Sequence, residues 1–156
     1  MKEIPLTQGK VALVDDEDYE RVSGYKWHAF HAGRTWYARR GNGGPLMHRM
    51  ILRLAKSTPS IDHINHNGLD NRRENLRICS QKDNLGNRRK TLSPTSSQYK
   101  GVSWFSRSGR WCARIGPNSK SGSFIGYFDD EADAARAYNE AARKRWGEFA
   151  LLNEVD

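Results

Sequence analysis

Cysteine is scarce in this chain. Cys79 and Cys112 are the two present in 156 residues, far apart and in no CxxC pair. That excludes a disulfide framework and a paired-thiolate zinc finger, and it suits a reducing interior. Long apolar runs are missing too. Nothing approaches the ~20 residues of a membrane span, and the opening MKEIPLTQGK has no apolar segment of the secretion-signal kind. A cytoplasmic protein with no membrane partner is the expectation. Acidic residues are absent between Asp83 and Asp129, an interval that holds Arg88, Arg89, Lys90, Lys100, Arg107, Arg110, Arg114 and Lys120. The sign reverses abruptly at Asp129, Asp130, Glu131 and Asp133.

What is present fits that asymmetry. Net charge is +8 and the isoelectric point is near 9.7. A one-signed basic stretch interleaved with aromatic residues points to a polyanionic partner, held by phosphate neutralisation and counterion release. Apolar residues make up only 37% of the chain, but five Trp, six Tyr and five Phe supply bulk for small cores. The length suits one modest domain or two small ones.

Residues 1–60 read as short strands and two helices. IPLTQGKVALV reads as two strands about a Gly turn, and Asp15–Ser23 as a short helix with acidic residues at its N-terminus. YKWHAFHAG and TWYARRG read as a hairpin about Gly33, and LMHRMILRLA, residues 46–55, as a compact helix. Next come IDHI as a strand, HNGLDNRREN as a loop, LRIC as a strand and a helix over about 81–89. TLSPTSSQ, residues 91–98, is polar and reads as a linker. Beyond it, YKGVSWFS, GRWCARIG and GSFIGYF read as three strands. DDEADAARAYNEAARKRWG reads as an amphipathic helix, capped by Asp129 or Asp130 and stopped by Gly147.

The loop segment is crowded with amides: Asn65, Asn67, Asn71, Asn75 and then Asn84 surround a single Asp62-His63 pair. A histidine can take a proton from water near neutral pH. An aspartate can hold a hard cation that prefers oxygen ligands, and Asn84 offers a second, neutral oxygen. Asn75 can fix the histidine or its loop by hydrogen bonds. Asn65, Asn67 and Asn71 read as turn formers.

Asp62-His63, Asn75 and Asn84, together with MHRMI, DHINHNGLDNRRENLRIC and SQKDN, resemble the HNH endonucleases in their H-N-N form. The resemblance implies a ββα-metal fold, the strand-loop-strand-helix order already read. It implies His63 as general base, Asp62 and Asn84 as ligands of one divalent ion (Mg2+ or Mn2+), and Asn75 as the residue that orients the site. It implies double-stranded DNA, rather than a small molecule, as the substrate. Asn84 stands where many members have histidine.

Residues 99–153, through YKGVSW, GRWCARI and IGYFDDEADAARAYNEAARKRWGEFALLN, resemble the Apetala/ethylene-response-factor DNA-binding domain. That implies a three-stranded antiparallel sheet packed on one helix and laid into the major groove. Candidate DNA contacts are Arg72, Arg73, Arg88, Arg89, Lys90, Lys100, Arg107, Arg110 and Arg114, with Trp104 as a platform and Trp111 either a second platform or core. Ser103, Gly116 and Gly122 depart from the family pattern.

The expected organisation is α+β: a β-rich extension over 1–45, a nuclease core over 46–90, a linker over 91–98 and a DNA-binding domain over 99–153. The expected activity is a homing-type endonuclease, encoded by a phage, plasmid or intron in a prokaryotic host and acting as a monomer, with a dimer as the alternative. The competing reading is a DNA-binding regulator with a silent nuclease fold.

Overall fold

The computed structural model describes residues 1–55, 59–90, 95–116 and 122–155. It is a mixed α/β structure of small antiparallel sheets and few helices, divided into two compact units, Met1–Ser80 and Gln81–Asp156. Part of the expected linker, residues 91–94, lies outside the described residues, as does Lys120. Among the described residues no helix is long and apolar enough to cross a membrane.

The first unit opens with β1 (Lys2–Pro5) and β2 (Val11–Val14), paired antiparallel. Gln8 and Gly9, both at positive φ, turn the chain between them. Helix α1 (Asp16–Ser23) carries Asp16, Glu17 and Asp18 in its first turn, where the helix dipole favours negative charge. A hairpin follows, β3 (Trp27–Ala32) and β4 (Thr35–Arg40), closed at Gly33 with φ of 63°. Helix α2 (Met47–Ile51) is half the length the sequence suggests. Arg53 follows it at φ of 54°, a left-handed backbone that a continuing helix does not adopt.

Strands β5 (Ser60–His63) and β6 (Leu76–Cys79) pair antiparallel, with Asp62 opposite Arg77 and His63 opposite Leu76. The loop between them is tied to the N-terminal hairpin. Leu13 donates its N–H to Leu69 O at 2.8 Å, and Asn71 donates to Leu13 O at 2.8 Å. The core beneath is Ile4, Ala12, Val14, Val22, Trp27, Ala38, Met47, Ile51 and Leu76. Six of these nine residues come from the first 45, so the extension supplies most of the apolar burial on which the β5–β6 loop rests.

The second unit begins with helix α3 (Gln81–Gly86), shorter than the sequence suggests, and continues with β7 (Val102–Phe105), β8 (Arg110–Ile115) and β9 (Ser123–Phe128) in the order β7-β8-β9. Helix α4 (Glu131–Trp146) packs on one face of that sheet. Asp130 is its cap: its carboxylate accepts from the N–H groups of Ala132 at 2.8 Å and Asp133 at 3.1 Å. The alanines of α4 let the helix lie close to the sheet, with Ala134, Ala135 and Ala142 fully buried beside Val102, Ala113, Ile115 and Tyr138. Gly101, at φ of 78°, sits where a Cβ would overlap the Tyr138 ring and meet Arg114 O.

Candidate active site

His63 ends β5 and is 5% exposed. Two other rings enclose it edge to face. The His48 ring, from α2, has its centroid 5.0 Å away, and the Tyr37 ring, from β4, 5.7 Å away. Tyr37 and His48 also meet, at 5.9 Å. Burial pushes the His63 imidazole below its ordinary value, while the Asn71 side chain, Asp62 and Asp70 pull the other way. Burial lowers His48 more strongly, to about 3, with His63 and Arg49 adding to the effect. His48 is therefore a neutral wall of the pocket at neutral pH.

Asp62 precedes His63 on the strand and is 7% exposed. Its Oδ2 accepts from Arg77 Nε at 2.9 Å and Nη2 at 2.7 Å. The cross-strand register explains the pair, because directly opposed residues of an antiparallel ladder share a face. Removing either partner would leave the other charge buried and uncompensated.

The amides divide their work. The Asn75 side chain spans the loop: Oδ1 accepts from the Asn65 N–H at 2.9 Å, and Nδ2 donates to Asp70 O at 2.8 Å. Asn65 Oδ1 accepts from the Asn67 N–H at 2.8 Å, and Asn67 Oδ1 from the Leu69 N–H at 3.1 Å, two successive side-chain turns. Asn71, 1% exposed, donates to Leu69 O at 3.0 Å. The loop after His63 is thus closed by its own side chains, with Asn75 as the cross-brace.

The basic residues of the loop face carboxylates. Arg72 grips Asp70 through Nε at 2.8 Å and Nη2 at 2.7 Å, which holds the Asp70 carboxyl below its usual range. Arg73 reaches Asp18 at 2.6 Å and donates its backbone N–H to Asp15 at 2.7 Å. Arg72 ties the loop to itself, and Arg73 ties it to the start of α1. Among the described residues no group of three or more His, Cys, Asp or Glu could hold a metal ion. Asp62 stands on β5 of the first unit and Asn84, exposed, on α3 of the second; a carboxylate and an amide are each hard oxygen donors of the kind Mg2+ accepts alongside several waters.

In the second unit the structure distributes the candidate DNA contacts unevenly. Arg88 and Arg89 are exposed, and Arg107 is exposed in the turn joining β7 to β8. Lys90 Nζ donates to Tyr99 O at 2.9 Å. Lys100 is drawn inward: Nζ donates to Gly86 O at 2.7 Å and lies 5.6 Å from the Trp146 ring, and burial lowers its pKa to about 8. Arg110 is bidentate to Asp129, through Nε at 2.7 Å and Nη2 at 3.0 Å. Trp111 packs with the helix-facing cluster and meets Trp104 edge to face at 5.1 Å.

Several residues of these surfaces escape a reading by sequence. His48 and Tyr37 come from elements distant in the chain, and Arg77 was one more basic residue until the register of β5 and β6 placed it on Asp62. Phe105, Phe124 and Tyr127 lie on the sheet face away from α4. Strict alternation along β7 signals Phe105, but the irregular register of β8 and β9 between Ala113 and Arg114 hides Phe124.

The HNH endonuclease family matches residues 47–85, from α2 through most of α3. An uncharacterised HNH endonuclease of Acanthamoeba polyphaga mimivirus is 33% identical over 155 residues, covering 96% of this chain and 78% of that protein. The chain belongs to the HNH endonuclease family, which points to a nuclease acting on DNA. An AP2-like ethylene-responsive transcription factor of Arabidopsis thaliana is 45% identical over 60 residues, 38% of this chain and 12% of that protein. APETALA2-like protein 2 of Oryza sativa is 45% identical over 58 residues, 13% of its length. This second likeness is partial and confined to one segment. No solved structure matches the chain.

Proposed function

We propose that the protein is a homing-type DNA endonuclease that nicks or cleaves double-stranded DNA by hydrolysing a phosphodiester bond. The observation that carries this reading is the seat of His63: a buried imidazole beside Asp62, walled by Tyr37 and His48, on a strand whose following loop is braced by Asn75. Burial keeps the imidazole neutral at pH 7, the form a general base requires. His63 takes the proton of a water in line with the scissile phosphorus. The new P–O bond forms as the P–O3′ bond breaks, and the departing O3′ takes a proton from solvent, leaving 5′-phosphate and 3′-hydroxyl ends. The two ring walls restrict the imidazole to one orientation, and the Asn75 brace fixes where β5 ends.

Asp62 and Asn84 are the residues that would hold one divalent ion, Mg2+ or Mn2+. Such an ion, when bound, supplies charge stabilisation at the phosphate and the leaving oxygen. The basic second unit supplies DNA affinity, with Arg88, Arg89, Arg107 and Arg114 as phosphate contacts, and one site per chain suits a nicking monomer.

The competing reading, a DNA-binding regulator with a silent nuclease fold, draws on the Arg77 guanidinium that grips the Asp62 carboxylate. Supercoiled plasmid incubated with Mg2+ or Mn2+ separates the two. Conversion to open circle, abolished by EDTA and by His63→Ala while DNA binding persists, is the expected result. Cleavage undiminished in His63→Ala removes the base assignment. Salt-sensitive binding with no cleavage of any plasmid carrying the native locus selects the regulator.

A further inference from the structure

The sheet face that α4 leaves uncovered carries exposed aromatic side chains. Phe105, Phe124 and Tyr127 stand on it with relative exposures of 36%, 51% and 37%. They form a continuous strip, Phe105 to Tyr127 at 5.3 Å between centroids and Tyr127 to Phe124 at 4.9 Å. Ser103, Cys112 and Tyr127 lie side by side in register beneath it. A solvent-facing aromatic strip of this kind marks a binding surface.

Its cations are not arranged to read guanine. Guanine is recognised by an arginine that offers both donors to O6 and N7. Arg110, on this face opposite Phe105, already spends Nε and Nη2 on Asp129. Arg114, opposite Phe124, has its guanidinium 5.6 Å over the Phe124 ring. A protein ring held between strands has instead one matching feature in the major groove, the C5-methyl of thymine, which is read by apolar contact. A twisted sheet of few strands fits that groove. The exposed Arg107 and the chain's lack of acidic residues from 84 to 128 complement the flanking phosphates.

We propose that Phe105, Phe124 and Tyr127 read thymine C5-methyl groups in the major groove, so that the target of this protein is A·T-rich on the side the sheet engages. The proposal rests on the reading of the second unit as a duplex-DNA binder. Arg107 and Arg114 hold the phosphates, and the Asp129 carboxylate keeps Arg110 from imposing a guanine preference.

The test isolates the methyl group. The full chain in EDTA is competed from a labelled duplex by alternating poly(dA-dT), poly(dA-dU), poly(dG-dC) and poly(dG-dC) carrying 5-methylcytosine. The first pair differs by removal of the C5-methyl and the second by its addition. The expected result is tighter binding of the methylated member in both pairs, by roughly fourfold per methyl buried, the transfer value of one methylene. Phe124→Ala and Phe105→Ala, both at exposed positions and checked by melting, should bring the members of each pair together. Equal affinity within both pairs overturns the proposal while leaving DNA binding intact. A preference that persists in the two variants assigns the methyl contact elsewhere and also overturns it. Single-stranded oligo(dT) that outcompetes poly(dA-dT) makes the strip a stacking platform for unpaired bases instead. Failure to bind any duplex removes the DNA-binding reading together with the proposal.

Discussion

Replacing Asn75 by alanine should cost the fold more than it costs a surface. The Asn75 side chain is 5% exposed and makes two hydrogen bonds to backbone: it donates to the buried Asp70 carbonyl at 2.8 Å and accepts from the part-buried Asn65 N–H at 2.9 Å. Alanine leaves the carbonyl without its donor inside the protein, which costs about 1–3 kcal/mol, and forfeits about 0.5–1.5 kcal/mol at the amide that water can partly reach. The sum is about 1.5–4.5 kcal/mol, a sizeable part of the stability of a small domain. Asn75→Asp is a sharper probe. Its carboxylate still accepts from Asn65 but must face the Asp70 carbonyl with no proton to offer, so it should be no more stable than the alanine variant. Urea unfolding followed by tryptophan fluorescence and circular dichroism reads both variants, and plasmid cleavage is run well below their melting temperatures. The expected outcome is reduced stability together with reduced cleavage, since the loop after His63 loosens. If Asn75→Ala unfolds within about 0.5 kcal/mol of the parent, the range of an ordinary surface change, the brace is not what Asn75 contributes. A cleavage loss in that case would have to come from direct contact with the reaction.

Three further outcomes follow from the same structure. Because His48 is held near pH 3 and an unfolded histidine near 6.5, the unfolded chain binds the proton between those values. Stability is therefore full above about pH 6.5 and falls as pH drops, by up to ~1.4 kcal/mol per pH unit from this group. Urea titrations at a series of pH values should show the slope, and His48→Phe should flatten it. Gly101→Ala should destabilise the second unit severely, because the residue sits at φ of 78° and its Cβ would overlap the Tyr138 ring; an unchanged melting temperature would refute that packing. Deleting residues 1–45 should abolish cooperative unfolding of the first unit, since six of its nine buried core residues go with them, and a soluble, sharply melting truncation would count against the scaffold role.

How much of this was legible beforehand depended on the range over which each signal acts. Local signals carried well. The Gly33 turn, the acidic start of α1, and LRIC as a strand are set by residues near one another, and they stand where the sequence placed them. The Asp130 cap needed one tertiary fact: Asp129 is occupied with Arg110 across the sheet, which leaves the cap to its neighbour. The lengths of α2 and α3 failed because apolar periodicity continues past the point where the chain turns. At α3 the stop is packing: Gly86 abuts the Trp146 ring, and its carbonyl accepts from Lys100 Nζ and the Leu151 N–H. Charge was the least transparent signal. Arg72, Arg73, Lys100 and Arg110 all read as cations available to phosphate, yet each has an acceptor within the protein at 2.6–2.8 Å. Their common reason is that a carboxylate or carbonyl brought near by the fold competes with solvent and ligand alike, and register decides which cation meets which acceptor. The amide-rich loop shows the converse. Its composition announced a segment that must satisfy its own backbone, and Asn65, Asn67 and Asn75 do so. The candidacy of His63 was legible from Asp62-His63, but its environment was not. The rings that make it a buried, orientated imidazole are Tyr37 and His48, and only the packing of β4 and α2 onto β5 brings them there.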